Sequence, residues 1–165
     1  MSTRLNRIVK EQLSSKPDVL CEPVMTIGEA AEKTNLSESA LRKYENEGLI
    51  IYHRSSGNVR VLSEEDINRI DCIKKLIKEK GLNLEGIRRL WALFPCWECN
   101  ECKPEEIECC SAIQDSNRPC WMTKAKESGK TRELCRMCDV YRAVADCSEE
   151  MKFIVHEKLS AHFAE

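Results

Sequence analysis

The chain is 165 residues long, with 26 Lys+Arg against 28 Asp+Glu, a formal net charge of -2, and 11 cysteines. That length holds one or two small domains, and no apolar run approaches the ~18 residues of a membrane-spanning helix, which argues against a transmembrane protein. Aromatic residues make up only 5% of the chain and charged residues 33%, so the expected fold is mainly α, with a core of Leu- and Ile-bearing helices rather than aromatic-rich strands.

The opening run MSTRLNRIVKEQLSSK lacks the apolar stretch of an export signal, so a cytoplasmic location is expected. In that compartment, abundant cysteine points to metal or redox chemistry rather than a disulfide framework. Residues 1–24 read as an N-terminal helix or arm with Leu5, Ile8, Val9 and Leu13 on one face.

From Thr26 the chain reads TIGEAAEKTNLSESALRKYENEGLI. Ile27, Ala30 and Ala31 recur at helical spacing, and Thr26 or a neighbour is a natural cap for a short helix ending near Lys33. Thr34-Asn35-Leu36 forms a break, and Ser37 caps a second helix from Glu38 to about Glu47 that stops at Gly48. Ala40, Leu41 and Tyr44 form its apolar face, while Ser39, Arg42, Lys43 and Asn46 project from the other. This is the outline of a helix-turn-helix. The next run, LIIYHRSSGNVRVLSEED, predicts strands over Leu49 to His53 and Asn58 to Leu62. They are joined by a turn in which Gly57 supplies the positive φ, making a wing whose Arg54 and Arg60 can reach phosphates. Ser63 with Asp66 then resembles a capping box opening a long helix buried through Ile67, Ile70, Ile73, Leu76 and Ile77 and closed by Gly81. Asn83 begins a short helix buried through Leu84, Ile87, Leu90 and Trp91. Periodicity alone favours a small helical domain whose polar helix faces water, and the near-zero charge of residues 26–93 and the lack of a basic tail point the same way.

The runs TIGEAAEKTNLSESALRKYENEGLI, GNVRVLSEEDINRI and GLNLEGIRRLWAL, over residues 25–93, together resemble the DNA-binding domain of the MerR family. The resemblance implies a winged helix-turn-helix whose second helix enters the major groove of double-stranded DNA. It also implies a homodimer spanning a palindromic operator, and RNA polymerase as a further partner. By position, Arg42 and Tyr44 fall in the family's LRxYE pattern, here LRKYE, while Arg54 matches its wing arginine and Arg60 the arginine before SEED. Lys43 and Leu62 stand where many members carry tyrosine. The candidate DNA contacts are Thr26, Ser37, Ser39, Arg42, Lys43, Tyr44, Asn46, Arg54, Asn58 and Arg60. Many members continue into a long dimerising helix, but here Phe94-Pro95 halts the chain. Dimerisation then falls to the N-terminal face or to a C-terminal helix over 148–165 that carries Met151, Ile154, Val155, Leu159 and His162.

Nine of the 11 cysteines lie between Cys96 and Cys147, and the chain changes character at Pro95, which places a second domain at 94–147. Cys96, Cys99 and Cys102 form C-x2-C-x2-C, and Cys135 and Cys138 form C-x2-C. Such gaps let neighbouring sulfurs converge on tetrahedral zinc or an iron–sulfur cluster. Buried structural cysteines without metal are the plainer alternative. Trp97 and Trp121, each directly after a cysteine, read as lids over the site, and Lys124, Lys126 and Lys130 as a solvated face. The segment 95–144 also resembles the two-CW domain through Cys96-Trp97, Cys120-Trp121 and the final Cys135-Arg136-Met137-Cys138. By position that resemblance selects Cys96, Cys102, Cys110, Cys120, Cys135 and Cys138 as metal candidates, with Cys99, Cys109 and Cys147 as additional ones. All-thiolate donors suit iron–sulfur clusters, preferred here, or Zn2+.

The expected protein is therefore a winged helix-turn-helix DNA-binding regulator followed by a small cysteine-rich metal-binding domain that senses redox state or metal. One alternative makes the cysteine domain a structural zinc platform for dimerisation or partner binding. A thiol oxidoreductase is the remote third, since no acid–base pair or nucleophile motif supports an enzyme.

Overall fold

The computed structural model describes residues 22–99, 102–127 and 132–145, together with Arg7 and Glu11. The rest of the N-terminal arm, the segment 148–165 with its expected dimerisation face, and Cys147 lie outside the described residues.

A capping box starts the fold at β1 (Met25–Thr26) and α1 (Ile27–Thr34). The Glu29 backbone N–H donates to Thr26 Oγ1 at 3.3 Å, and the Glu29 carboxylate accepts from the Thr26 N–H at 2.7 Å, so two otherwise orphaned donors are satisfied together. Asn35 ends α1 in the left-handed region at φ 54, and Ser37 caps α2 (Glu38–Asn46), its Oγ accepting from the Ala40 N–H at 3.1 Å. Gly48 follows at φ +72, where a side chain is strained, as the sequence indicates.

The wing departs from its expected form. Its strands are β2 (His53–Arg54) and β3 (Arg60–Leu62), and β1 pairs with β3 to give an antiparallel sheet in the order β1-β3-β2. Met25 lies opposite Leu62 and His53 opposite Val61. Residues 49–52, expected as strand, are instead a buried run outside the sheet: the Leu49 N–H donates to the Tyr44 carbonyl, while the Leu49 carbonyl and the Ile51 N–H bond side chains from far along the chain. The positive φ of the wing turn falls on Asn58, at 59°, rather than on Gly57. Asparagine tolerates that region because its short amide can bond locally.

The long helix α3 (Glu64–Lys80) and the short α4 (Leu84–Ala92) form as the sequence indicates. Ser63 and Asp66 make a complete capping box, and Gly81 closes α3 at φ 66. Short helices follow: α5 (Cys96–Cys99), α6 (Pro104–Glu108), α7 (Ser111–Gln114), α8 (Cys120–Glu127), α9 (Arg132–Arg136) and α10 (Asp139–Ala143). Among the described residues no helix is long and apolar enough to cross a membrane. The change of character at Pro95 is no break in packing. One buried cluster runs from Met25 through Leu41, Leu49, Ile70 and Trp91 to Trp121, Tyr141 and Val144, so the cysteine-rich segment and the helix-turn-helix share a core.

Candidate nucleic-acid interface and thiol cluster

The outward face of α2 carries Ser39, Arg42, Lys43 and Asn46, all exposed. Arg42 Nη2 pairs with Glu38 Oε2 at 2.6 Å one turn back, with both side chains near half exposure. Such a pair adds little stability in water and is readily exchanged for another anion. Thr26 and Ser37, read as contacts, are occupied as helix caps. The hydrogen bonds from the Thr26 backbone and hydroxyl hold the Glu29 carboxyl below its ordinary range. Tyr44 is not on this face. It is only 6% exposed and packs in the core, where burial pushes its phenol upward. Its place in LRKYE reflects packing of α2 here.

Both wing arginines are tied to that helix by one carboxylate. Arg54 Nη2 donates to Glu45 Oε1 at 3.0 Å and Arg60 Nε to Glu45 Oε2 at 2.7 Å, with Glu45 largely shielded. Arg54 also reaches the Asn58 carbonyl at the turn, at 3.5 Å. Glu45 was not among the residues singled out from the sequence, yet it fixes the wing's angle to α2. Its signal was there: Glu45 follows Tyr44, one step round the helix from the buried face and toward the hairpin.

In the cysteine-rich segment the structure brings the six thiols of the two-CW pattern into one neighbourhood. Cys96 and Cys120 are joined by a side-chain hydrogen bond, and the Cys135 and Cys138 sulfurs lie near Cys120. Cys102 and Cys110 gather with Cys96 around Lys124, which hydrogen-bonds Cys110. Lys124 therefore does not belong to a merely solvated face. Partial burial opposes its charge, but the Cys110 and Cys102 sulfurs outweigh that and raise its pKa. The bond from Cys120 and the Lys124 charge lower the Cys96 thiol to about 7, while the bond to Cys96 and burial push Cys120 up. Burial likewise raises Cys102. Cys99 is buried, and Cys109 is exposed with its S–H directed at the Glu105 carbonyl, 3.1 Å away. Cys72, on the buried side of α3, is disulfide-bonded. Among the described residues, no group of three or more His, Cys, Asp or Glu side chains is arranged to hold a metal ion.

The two regions meet on Arg69, a fully buried guanidinium on α3. Its Nε donates to the Leu49 carbonyl at 2.7 Å and its Nη1 to the Tyr141 carbonyl at 2.6 Å. Its guanidinium carbon lies 3.7 Å from the ring centroid of Tyr141, 4.4 Å from Trp91 and 5.2 Å from Trp121. These rings face the charge with their electron-rich sides and replace part of the lost hydration. Trp121 is thus an anchor rather than a lid, and its indole N–H donates to the Gly48 carbonyl at 2.8 Å. The Ile51 N–H donates to the Tyr141 hydroxyl at 2.9 Å. Two further bonds close the contact, from Arg136 to Asp66 at 2.7 Å and from Arg142 to Glu65 at 3.0 Å. Two of these bonds take groups that a strand would need: Arg69 claims the Leu49 carbonyl and Tyr141 the Ile51 N–H. Positions 66, 69, 70 and 73 already mark one helical stripe, so the burial of Arg69 was legible by period and hidden by its charge.

Residues 25–92 match the family model described as MerR HTH family regulatory protein. Among similar proteins, HspR of Streptomyces coelicolor, by name a heat shock protein, is 35% identical over 68 residues, which cover 41% of this chain and 45% of that one. The HTH-type transcriptional regulator GlnR of Bacillus anthracis is 35% identical over 75 residues, 46% of this chain and 57% of its own. A UPF0735 ACT domain-containing protein of Carboxydothermus hydrogenoformans is 33% identical over 69 residues, 42% and 43% of the two chains. The chain spans about half the length of the curated relatives it matches. The family match spans the capped α1 and α2, the wing tied to Glu45, the long α3 and the short α4: residues 25–92 match a MerR-type helix-turn-helix domain.

Proposed function

We propose that the protein is a DNA-binding transcription regulator that places α2 in the major groove of a palindromic operator as a homodimer. The observation that carries this is Glu45 holding Arg54 and Arg60 of the wing beside the exposed Ser39–Arg42–Lys43–Asn46 face. A helix face of that width suits a groove, and two cations fixed at its flank suit the phosphates alongside. Arg42 is the base reader in this reading, because its only described carboxylate partner is the exposed Glu38 on its own helix. A gel-shift titration against the promoter region of its own operon tests it. Arg42→Ala is expected to weaken specific binding by about 1–3 kcal/mol, with the free-thiol count unchanged. Specific affinity equal to that of the unaltered protein removes Arg42 from base reading.

The cysteine-rich segment is read as the sensing half, with thiol redox state preferred over a bound metal. Six sulfurs would suit Zn2+ or an iron–sulfur cluster by chemistry, but the described thiols are arranged as a hydrogen-bonded pair and a lysine-centred group. Signal would pass from Cys120 through its neighbour Trp121 to Gly48, at the end of α2. Elemental analysis with sulfide determination on protein isolated without oxygen decides against this preference if stoichiometric metal is found. The second reading, a purely structural platform, is favoured by the bonds that Arg136, Arg142 and Tyr141 make to the helix-turn-helix half. It predicts operator affinity that is indifferent to oxidation.

A further inference from the structure

Beside the anchor lies a cavity of about 150 Å3 between α4, α5, α7 and α8. Trp91, Phe94, Trp97 and Trp121 contribute its aromatic walls, and Cys96 and Cys120 both line it. Among the described residues no charged side chain borders it, which suits an uncharged occupant. An apolar cavity of roughly 150 Å3 holds one six-membered ring, and aromatic walls favour a flat one through offset or edge-to-face contact. Two thiols within hydrogen-bonding distance of each other form a two-electron reductant at its margin. Glutathione-type disulfides are charged and several times too large. Peroxide is small enough but makes no use of an aromatic-walled space.

We propose that this cavity captures a small uncharged quinone of one ring and that the Cys96–Cys120 dithiol reduces it to the hydroquinone. Cys96 Sγ adds to a ring carbon, forming a C–S bond, while the ring C=C pair passes to one carbonyl oxygen, which takes the Cys96 proton. Before the ring becomes aromatic, Cys120 Sγ attacks Cys96 Sγ. The S–S bond forms, the C–S bond breaks, and its electron pair passes to the second oxygen, which takes the Cys120 proton. Two thiols thus lose two electrons and two protons, and the quinone gains them. The disulfide lies next to Trp121, whose indole holds the Gly48 carbonyl, so the reaction repositions the anchor at the end of α2. That last consequence rests on the proposed reading as a DNA-binding regulator.

The test uses the reduced full-length chain without oxygen, treated with 1,4-benzoquinone, 1,4-naphthoquinone or hydrogen peroxide, with each rate divided by that of free cysteine. One hydroquinone per Cys96–Cys120 disulfide is expected by chromatography and peptide mass mapping, with the two-ring quinone relatively slower by about tenfold or more. Cys120→Ser should arrest the reaction as a thioether on Cys96. Ala112→Leu, which adds bulk to the cavity lining, should slow benzoquinone while sparing peroxide. If that variant does not fold, the ring-size comparison on the unaltered chain stands by itself. Adducts confined to exposed Cys109, or normalised rates independent of ring size, overturn the proposal. An untreated chain that fails to bind operator DNA sinks the regulator reading instead, and ring capture is then judged by hydroquinone yield alone.

Discussion

Arg69 illustrates how one side chain can bind two parts of a molecule. A guanidinium taken fully out of water is costly unless hydrogen bonds and countercharges surround it. Here two carbonyls, three aromatic faces and the nearby Asp66 and Glu65 do so for all but Nη2, which has no hydrogen-bond partner among the described residues. Burial still pulls its pKa down from the usual arginine value, and it pushes Asp66 upward against the pull of Arg136. Removing the cation leaves the Leu49 and Tyr141 carbonyls short of donors and Asp66 short of positive charge. Arg69→Leu is therefore expected to lower stability by about 3–5 kcal/mol, measured by urea unfolding with tryptophan fluorescence. A loss under about 1 kcal/mol, the size of an exposed ion pair, would show that the aromatic box closes without its charge.

Among the elements, the end of α2 carries the heaviest constraint. Gly48 sits at φ +72, and a Cβ there would meet Met122 Sδ at 2.4 Å. The left-handed conformation alone costs an L-residue about 1–2 kcal/mol, and the displaced Met122 side chain adds to it. Gly48→Ala should thus lower the midpoint of thermal unfolding by a few degrees, at about 2–4 °C per kcal/mol for a chain of this size. It should also disturb the Trp121 contact, since the Gly48 carbonyl accepts from that indole. An unchanged midpoint would mean that the turn relaxes into another conformation. The wing offers a companion case. Glu45→Gln removes the charge that both arginines share and should free the hairpin. In a filter-binding titration, weaker operator affinity with unchanged thermal stability is expected, while unchanged affinity would show that DNA itself orients the wing.

At the scale of the whole molecule, the shared core from Met25 to Val144 implies one cooperative unit. Circular dichroism and tryptophan fluorescence should report a single coincident unfolding transition. Two separated transitions would show that the cysteine-rich segment melts independently, and would remove the physical link between its thiols and α2.

The local elements of residues 25–92 are readable from the residues alone: the caps at Thr26, Ser37, Ser63 and Asn83, the stop at Gly48 and Gly81, and the periodic stripe of α3. These depend on neighbours three or four residues apart, and such spacing is written directly in the chain. The outward face of α2 was legible for the same reason. Folding in three dimensions settled what spacing left open: that 49–52 is not a strand, that Lys124 sits among thiols and that Trp121 anchors rather than covers. Each of those turns on a contact between residues tens of positions apart, such as Gly48 with Trp121 or Ile51 with Tyr141. Spacing along the chain carries no record of them, because a buried backbone group accepts any partner that packing delivers.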